Sequence, residues 1–337
     1  MHGELPSMPG TILTTLAVLV LMAMPAFAAD IQISTENTPS HFQTQVLQRY
    51  AAALNAEIPE HHFDVVHSAR AFSDREVAEA VSSTRVAIAA PGIWHLGQYS
   101  SDLNALLLPG FMGLEAQDVR RLVDGTVGEA LEDSLETQLN VKVIGKWLDL
   151  GPAHIFTRKK VIRRFDDLKG LRIRYAGGDA NALRLAALGA EPVLIPWPNV
   201  PDALDRGEID GLLTTSSTVV SASLWEHGLT HAFLSHSYYP FYVPLISGDI
   251  WRRLSEPQRK VLTDSWEDMI SDGRERAVSH QESSMALLRE HGIKITAPSN
   301  QERETVRRSL ASRQDEMARE IGISNKMLEI LAQHGGD

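Results

Sequence analysis

The chain has 337 residues, 43% of them hydrophobic and 22% charged, enough for one large or two medium domains with a substantial core. Lys and Arg number 32 against 43 Asp and Glu, which leaves no basic footprint for a nucleic-acid backbone. Cysteine is absent, so disulfides, thiolate metal sites and a cysteine nucleophile are excluded.

The first residues read as an export signal. Thr11 to Pro25 is apolar and uncharged, and Ala26-Phe27-Ala28 follows with the small-x-small pattern that a signal peptidase accepts. Residues 1–28 are therefore expected to be removed by cleavage after Ala28, leaving a soluble periplasmic chain. The apolar stretch is short for a membrane span, which needs about 20 residues. Ahead of it stand His2 and Glu4 but no Lys or Arg, and Met8 is an alternative to Met1 as the start.

Ile31-Gln32-Ile33 alternates as a strand does, and Ser40 with Gln43 makes a capping-box pair for an apolar-periodic helix through Phe42, Val46, Leu47, Tyr50 and Leu54. Val65-Val66 and Val86 to Ala89 read as short buried strands around a helix from Asp74 to Ser82. Between Leu171 and Ser216, strand-like runs at 171–175, 192–196 and 209–213 alternate with two helical segments ending at Gly189 and Gly207. Such a β-α-β-α-β unit requires a parallel sheet with right-handed crossovers. Ligands in these sheets bind beyond the carboxyl ends of the strands. At those ends stand Arg174, Trp197, and Thr214 with Thr215 and Ser216: a cation, an aromatic plate and hydroxyl donors.

Further on, Ser255 and Pro257 open a helix that runs to about His291 and stops at Gly292, long enough to bridge two domains. Ile293 to Ile295 reads as a strand, and Ser299 with Glu302 opens a charged helix ending near Gly322. His61, His62 and His67 surround a strand without the i, i+4 spacing of a helical zinc motif, so no metal is expected. G-x-S-x-G, H-E-x-x-H and phosphate-loop signatures are absent, and no cofactor is expected.

Asp167-Leu168-Lys169-Gly170-Leu171-Arg172-Ile173-Arg174 is followed by Leu188-Gly189-Ala190-Glu191-Pro192, then by Ala203-Leu204 and Gly207-Glu208-Ile209-Asp210-Gly211. In order and spacing these segments resemble the DctP-like solute receptors of tripartite ATP-independent periplasmic (TRAP) transporters. Weaker likeness at Ser73 to Glu76, Leu107 to Phe111, and Trp251 with Leu254 extends it over nearly the whole mature chain. The resemblance implies the two-domain α/β periplasmic binding protein fold, with a ligand cleft between the domains and a long helix spanning both. By analogy one domain comprises 30–151 plus 240–279 and the other 152–239 plus 280–337. It also implies capture of a small organic acid, delivery to the membrane permease subunits, no catalysis, and a monomer rather than a dimer.

Arg174 stands at the family's signature arginine, which grips the ligand carboxylate; a guanidinium fork matches the two oxygens of that group. From the residues alone, a solvated strand-end arginine or one paired with a structural acid is the other reading. Trp197 matches an aromatic that packs on the ligand skeleton, and Thr214 a position where many relatives carry Asn. Trp94 and Tyr239 align with cleft positions, and Glu36 and Ser73 with polar ligand contacts. A second arginine carried by many relatives corresponds here to Ala153 or His154, depending on a one-residue gap. The expected ligand is then a monocarboxylate with a less acidic remainder, such as an aromatic, keto or hydroxy acid, and Tyr238, Tyr239, Phe241 and Tyr242 add aromatic surface for it. Two rival functions stay open: a receptor serving a sensor system, and a periplasmic lyase or hydrolase.

Overall fold

The computed structural model describes Gly3 and residues 29–334. Apart from Gly3, the expected signal segment lies outside the described residues, and so does its cleavage site. In chain order the strands are β1 (Ala29–Ser34), β2 (His61–Val66), β3 (Ile88–Ala89), β4 (Val141–Val143), β5 (Leu148–Asp149), β6 (His154–Thr157) and β7 (Arg172–Tyr175). There follow β8 (Glu191–Leu194), β9 (Gly211–Thr214), β10 (His231–Phe233), β11 (Phe241–Tyr242), β12 (Leu245–Ser247) and β13 (Lys294–Thr296). They build a five-stranded sheet in the order β2-β1-β3-β12-β4, a six-stranded sheet in the order β13-β10-β6-β9-β7-β8, and a ribbon of β5 with β11.

The β-α-β-α-β unit is present, with β7 between β8 and β9 and parallel to both. Its helices are Asp179–Ala187 and Val200–Asp205. Gly189 and Gly207 follow them at φ of 80° and 67°, a left-handed turn that costs glycine no Cβ clash and lets the chain leave the helix sharply. Ile173 on β7 and Leu212 on the adjacent β9 are fully buried.

Between the sheets the chain crosses once through β5 and returns through β11, and these crossings pair antiparallel, Leu148 with Tyr242 and Asp149 with Phe241. The third crossing is the helix Glu256–Glu290, 35 residues long and so about 50 Å at 1.5 Å per residue. The helix opens at the expected Ser255, through a capping box: Ser255 N–H donates to Gln258 Oε1 at 2.9 Å, and Ser255 Oγ accepts from Gln258 N–H. Early in the helix Leu262 O accepts from Tyr50 Oη at 3.0 Å; later Gln281 Nε2 donates to Ser217 Oγ at 3.3 Å. One helix thus braces both sheets. At its middle, Arg274 pairs with Asp124 at 2.5 Å and donates to Trp147 O, while Arg120 pairs with Asp149 at 2.7 Å and donates to Arg274 O. The ribbon is locked to the helix by charge-assisted bonds.

Three of the expected helices differ, and in each a side chain read as part of the helix start has a tertiary partner. The first helix is Phe42–Glu57, and His41 caps it by accepting from Gln43 N–H on Nδ1. Gln43 turns inward to Thr35, Asn37 and Ala90 O, and Ser40 donates to Ser221 O. The helix expected from Asp74 begins at Val77, because Asp74 is held by Trp197 and His95. The segment after Ser299 is two helices, Asn300–Ala311 and Gln314–Ile321, and Glu302 accepts from Phe165 N–H instead of closing a capping box. These C-terminal helices pack on Pro109–Phe111, Ser101–Leu107 and Asp179–Ala187, and so touch both lobes.

Candidate ligand-binding site

A pocket of about 430 Å³ including its mouth opens at the carboxyl ends of β7 and β9, where they face the first sheet. Glu36, Asn37, Asp74, Trp94 and His95 come to it from the side of the first sheet, Arg174, Trp197, Thr214, Thr215 and Thr218 from the second, and Leu150, Tyr238, Pro240 and Tyr242 from the crossings. A ligand here touches both lobes at once. Contacts close the rim: Trp197 N–H donates to Asp74 Oδ2 at 3.0 Å, and His41 Nε2 lies 3.2 Å from Thr218 Oγ1.

Arg174 is 2% exposed. Its Nε donates to Ile195 O at 2.9 Å, and its guanidinium carbon lies 5.7 Å from the centre of the Trp197 ring. Among the described residues no carboxylate forms an ion pair with it. Burial pulls its pKa down to about 10, opposed by Asp74, Tyr238 and Tyr242, so it stays cationic at neutral pH. A buried cation whose two terminal nitrogens meet no acceptor among the described residues is costly, and a carboxylate in the pocket offsets that cost.

Asp74 is 2% exposed. Burial pushes its carboxyl up, but His95, the Trp197 amide and Arg174 outweigh burial and hold it below its ordinary value. His95 Nε2 stands 3.3 Å from Asp74 Oδ2; burial holds His95 down even against Asp74, so at neutral pH a neutral imidazole donates to a carboxylate. Glu36 differs: burial first, then Asp74, raise its pKa to about 7. Trp94 lies edge-on to Tyr242, ring centres 5.3 Å apart. Gly92 lets it lie flat on the chain, since a Cβ at residue 92 would stand 2.3 Å from the indole.

Of the residues singled out in the sequence, Arg174, Trp197, Thr214, Trp94 and Glu36 line this pocket, whereas Tyr239, His154 and Ser73 do not. Tyr239 faces Glu115, Asp149 and Arg120 behind the ribbon. His154 stacks edge-on with His236 at 4.8 Å and accepts from His236 N–H on Nδ1; Ala153 is fully buried. Ser73 donates to Glu76 Oε2 at 2.6 Å. Asp74 and His95 escaped the sequence reading although each neighbours a residue it picked. Asp74 read as the first residue of a helix, and a Trp-His dipeptide has no chemical signature of its own. Among the described residues no group of His, Cys, Asp or Glu is arranged to hold a metal ion, and no helix is long and apolar enough to cross a membrane.

Comparison with known proteins agrees with this fold. The chain is 24% identical over 277 residues, 79% of each chain, to a C4-dicarboxylate-binding periplasmic protein of Shewanella loihica. A sugar acid binding protein from Advenella mimigardefordensis in complex with galactonate superposes with a TM-score of 0.85 at 18% identity, over 91% of this chain and 98% of that one. A TRAP periplasmic solute-binding protein from Polaromonas bound to D-erythronate gives 0.83 at 18% identity, over 91% and 98%. The model of the bacterial extracellular solute-binding proteins, family 7, matches residues 33–320, and the chain belongs to that family.

Proposed function

We propose that this chain is the periplasmic receptor of a TRAP transporter, that it captures a small organic acid in the pocket around Arg174, and that it presents the closed complex to the membrane permease. The observation that carries the reading is Arg174 itself, a buried guanidinium lining a pocket to which both sheets contribute residues. Of the relatives named above, one is a C4-dicarboxylate-binding protein and two are bound to galactonate and D-erythronate, acids of the same general kind. The lobes are 30–151 with 240–279 and 152–239 with 280–337, a division supported by how the strands partition between the two sheets. Binding and closure are one event: a ligand touching both lobes favours the closed population by its differential contacts. No bond of the ligand is broken, and the exported chain starts at Ala29.

The test is a thermal-shift screen of the chain from Ala29, unfolded and refolded to strip any co-purified ligand. Sugar acids, hydroxy acids, keto acids, dicarboxylates and aromatic acids are each run beside the corresponding amide. A ligand of the folded state raises the melting temperature by mass action. Stabilisation by one class of acids and not by its amides is the expected result; no shift with any acid refutes the reading. Ligand recovered unchanged after long incubation separates a receptor from a lyase or hydrolase, and mass spectrometry of the exported chain reads the cleavage point.

A further inference from the structure

Two polar atoms of the pocket wall have no hydrogen-bond partner among the described residues although both are buried: Asp74 Oδ1 and Trp94 Nε1. Both residues line the pocket, and they are 2% and 8% exposed. Buried polar atoms in folded proteins are nearly always satisfied, so an orphan acceptor and an orphan donor in one binding pocket are complementary to the ligand. The other Asp74 oxygen is taken by the Trp197 amide at 3.0 Å and by His95 at 3.3 Å. Oδ1 therefore accepts from the ligand, while Trp94 Nε1 and the Arg174 terminal nitrogens donate to it.

Resting on the organic-acid reading, we propose that the ligand is a small hydroxy monocarboxylic acid: its carboxylate lies on Arg174, and its hydroxyl donates to Asp74 Oδ1. Trp94 Nε1 donates to an oxygen of the same ligand. The balance of charges sets the number of carboxylates. Among the described residues that line the pocket, Arg174 is the one Lys or Arg, beside two acids, Asp74 and Glu36. A second ligand carboxylate would be buried among like charges with no cation of its own, which is strongly unfavourable. A keto acid lacks the donor that Oδ1 requires and would set two acceptors face to face.

Matched triplets test this: lactate, pyruvate and propionate; 2-hydroxybutyrate, 2-ketobutyrate and butyrate; mandelate, phenylglyoxylate and phenylacetate. Alanine, serine, succinate and the free sugar acids glycerate and erythronate complete the set, all titrated calorimetrically into the refolded wild-type chain. The expected result is that hydroxy acids bind at least about tenfold tighter than the keto or unsubstituted partner, the ratio a hydrogen bond to a buried charge supplies, and that succinate binds weakly. Asp74→Asn sharpens the test. The Trp197 and His95 donors hold the amide oxygen of Asn on their side, which turns the amide N–H₂ toward the ligand and should shift preference to the keto acid. If the three members of every triplet bind alike, the hydroxyl assignment is overturned while the acid receptor stands. Tighter binding of the amino acids, or of succinate, overturns it in favour of an ammonium or a second carboxylate. Binding of none of these acids overturns it together with the proposed function. The wild-type comparison alone decides the matter if Asp74→Asn fails to fold.

Discussion

The backbone N–H of Trp197 donates to Asp74 Oδ2 at 3.0 Å, joining the segment after β8 to the segment after β2 across the mouth of the pocket. The same Trp197 ring stands 5.7 Å from the Arg174 guanidinium carbon. Three tasks meet in this pair: closing the rim, backing the arginine, and placing a carboxylate oxygen toward the ligand. Closure and ligand recognition are consequently coupled through one residue on each lobe.

Arg174→Ala should weaken acid binding by about 2 kcal/mol or more, roughly thirtyfold, because the ligand carboxylate is then buried without its charge-assisted bonds. Arg174→Lys keeps the charge but loses the fork, and should recover only part of the loss. Calorimetric titration with the tightest-binding acid measures both. Unchanged affinity in the alanine variant would remove Arg174 from the site.

Gly92→Ala tests the seating of Trp94. The added Cβ would lie 2.3 Å from the indole, so the ring must move and its Nε1 with it. The expectation is an acid affinity reduced about tenfold with a circular dichroism spectrum like that of the wild type. A variant with full affinity would show that Trp94 Nε1 is not a ligand donor.

Much of this site was legible in the sequence, and the reason is local. Arg174, Trp197 and Thr214 all follow from one rule, since a parallel β-α-β-α-β unit brings the carboxyl ends of its strands together. Trp94 and Glu36 rested on likeness to a family, and they too line the pocket. Tyr238 and Tyr242, expected as aromatic surface near the ligand, line it as well, whereas Asp74 and His95 were not picked as ligand contacts because nothing within a few residues of them encodes the approach of the other lobe. His154 shows the converse: beside Thr214 on the neighbouring strand, its ring nevertheless packs on His236. Pairing register fixes which backbone atoms meet, whereas the direction of a side chain depends on the sheet's surroundings. The helix starts at Phe42 and Val77 were misread for the same reason, as Gln43 and Asp74 serve distant partners instead of the helix end.

Glu36 should make binding depend on pH. Its pKa is raised to about 7, by burial and then by Asp74, against the hydrogen bonds of Tyr242 and Asn37, and it shares the pocket with Arg174 and His95. Below that value it is neutral, and a monoanionic ligand meets one fewer negative charge, so affinity should rise as pH falls through about 7. The folded state holds this proton above the unfolded value, so the Glu36 contribution to stability falls as pH rises from about 4.5 to about 7. His41, His154 and His236 act in the opposite sense, since burial holds them at about 3, about 3 and about 4. Their stabilisation is present above about 6.5 and is lost as pH falls. Comparison of wild type with Glu36→Gln isolates the acid: the variant should bind with little change between pH 6 and pH 8. An unchanged pH profile in Glu36→Gln would assign the effect to another group.

The ribbon carries the last prediction. Asp149 is 1% exposed and takes two bonds from Arg120, at 2.7 and 3.1 Å, and Arg120 in turn reaches the long helix at Arg274 O. Asp149→Ala leaves a partly buried guanidinium unpaired, and breaking such a pair from one side costs about 3 kcal/mol. Urea unfolding of Asp149→Ala, Arg120→Ala and the double variant distinguishes a coupled pair from two independent packing losses. In the coupled case the double variant loses clearly less than the two single losses combined, because the second deletion removes the uncompensated charge left by the first. Additive losses would mean that the ion pair contributes nothing beyond packing. The link between ribbon and helix would then rest on Arg274 and its bonds to Asp124 and Trp147 O.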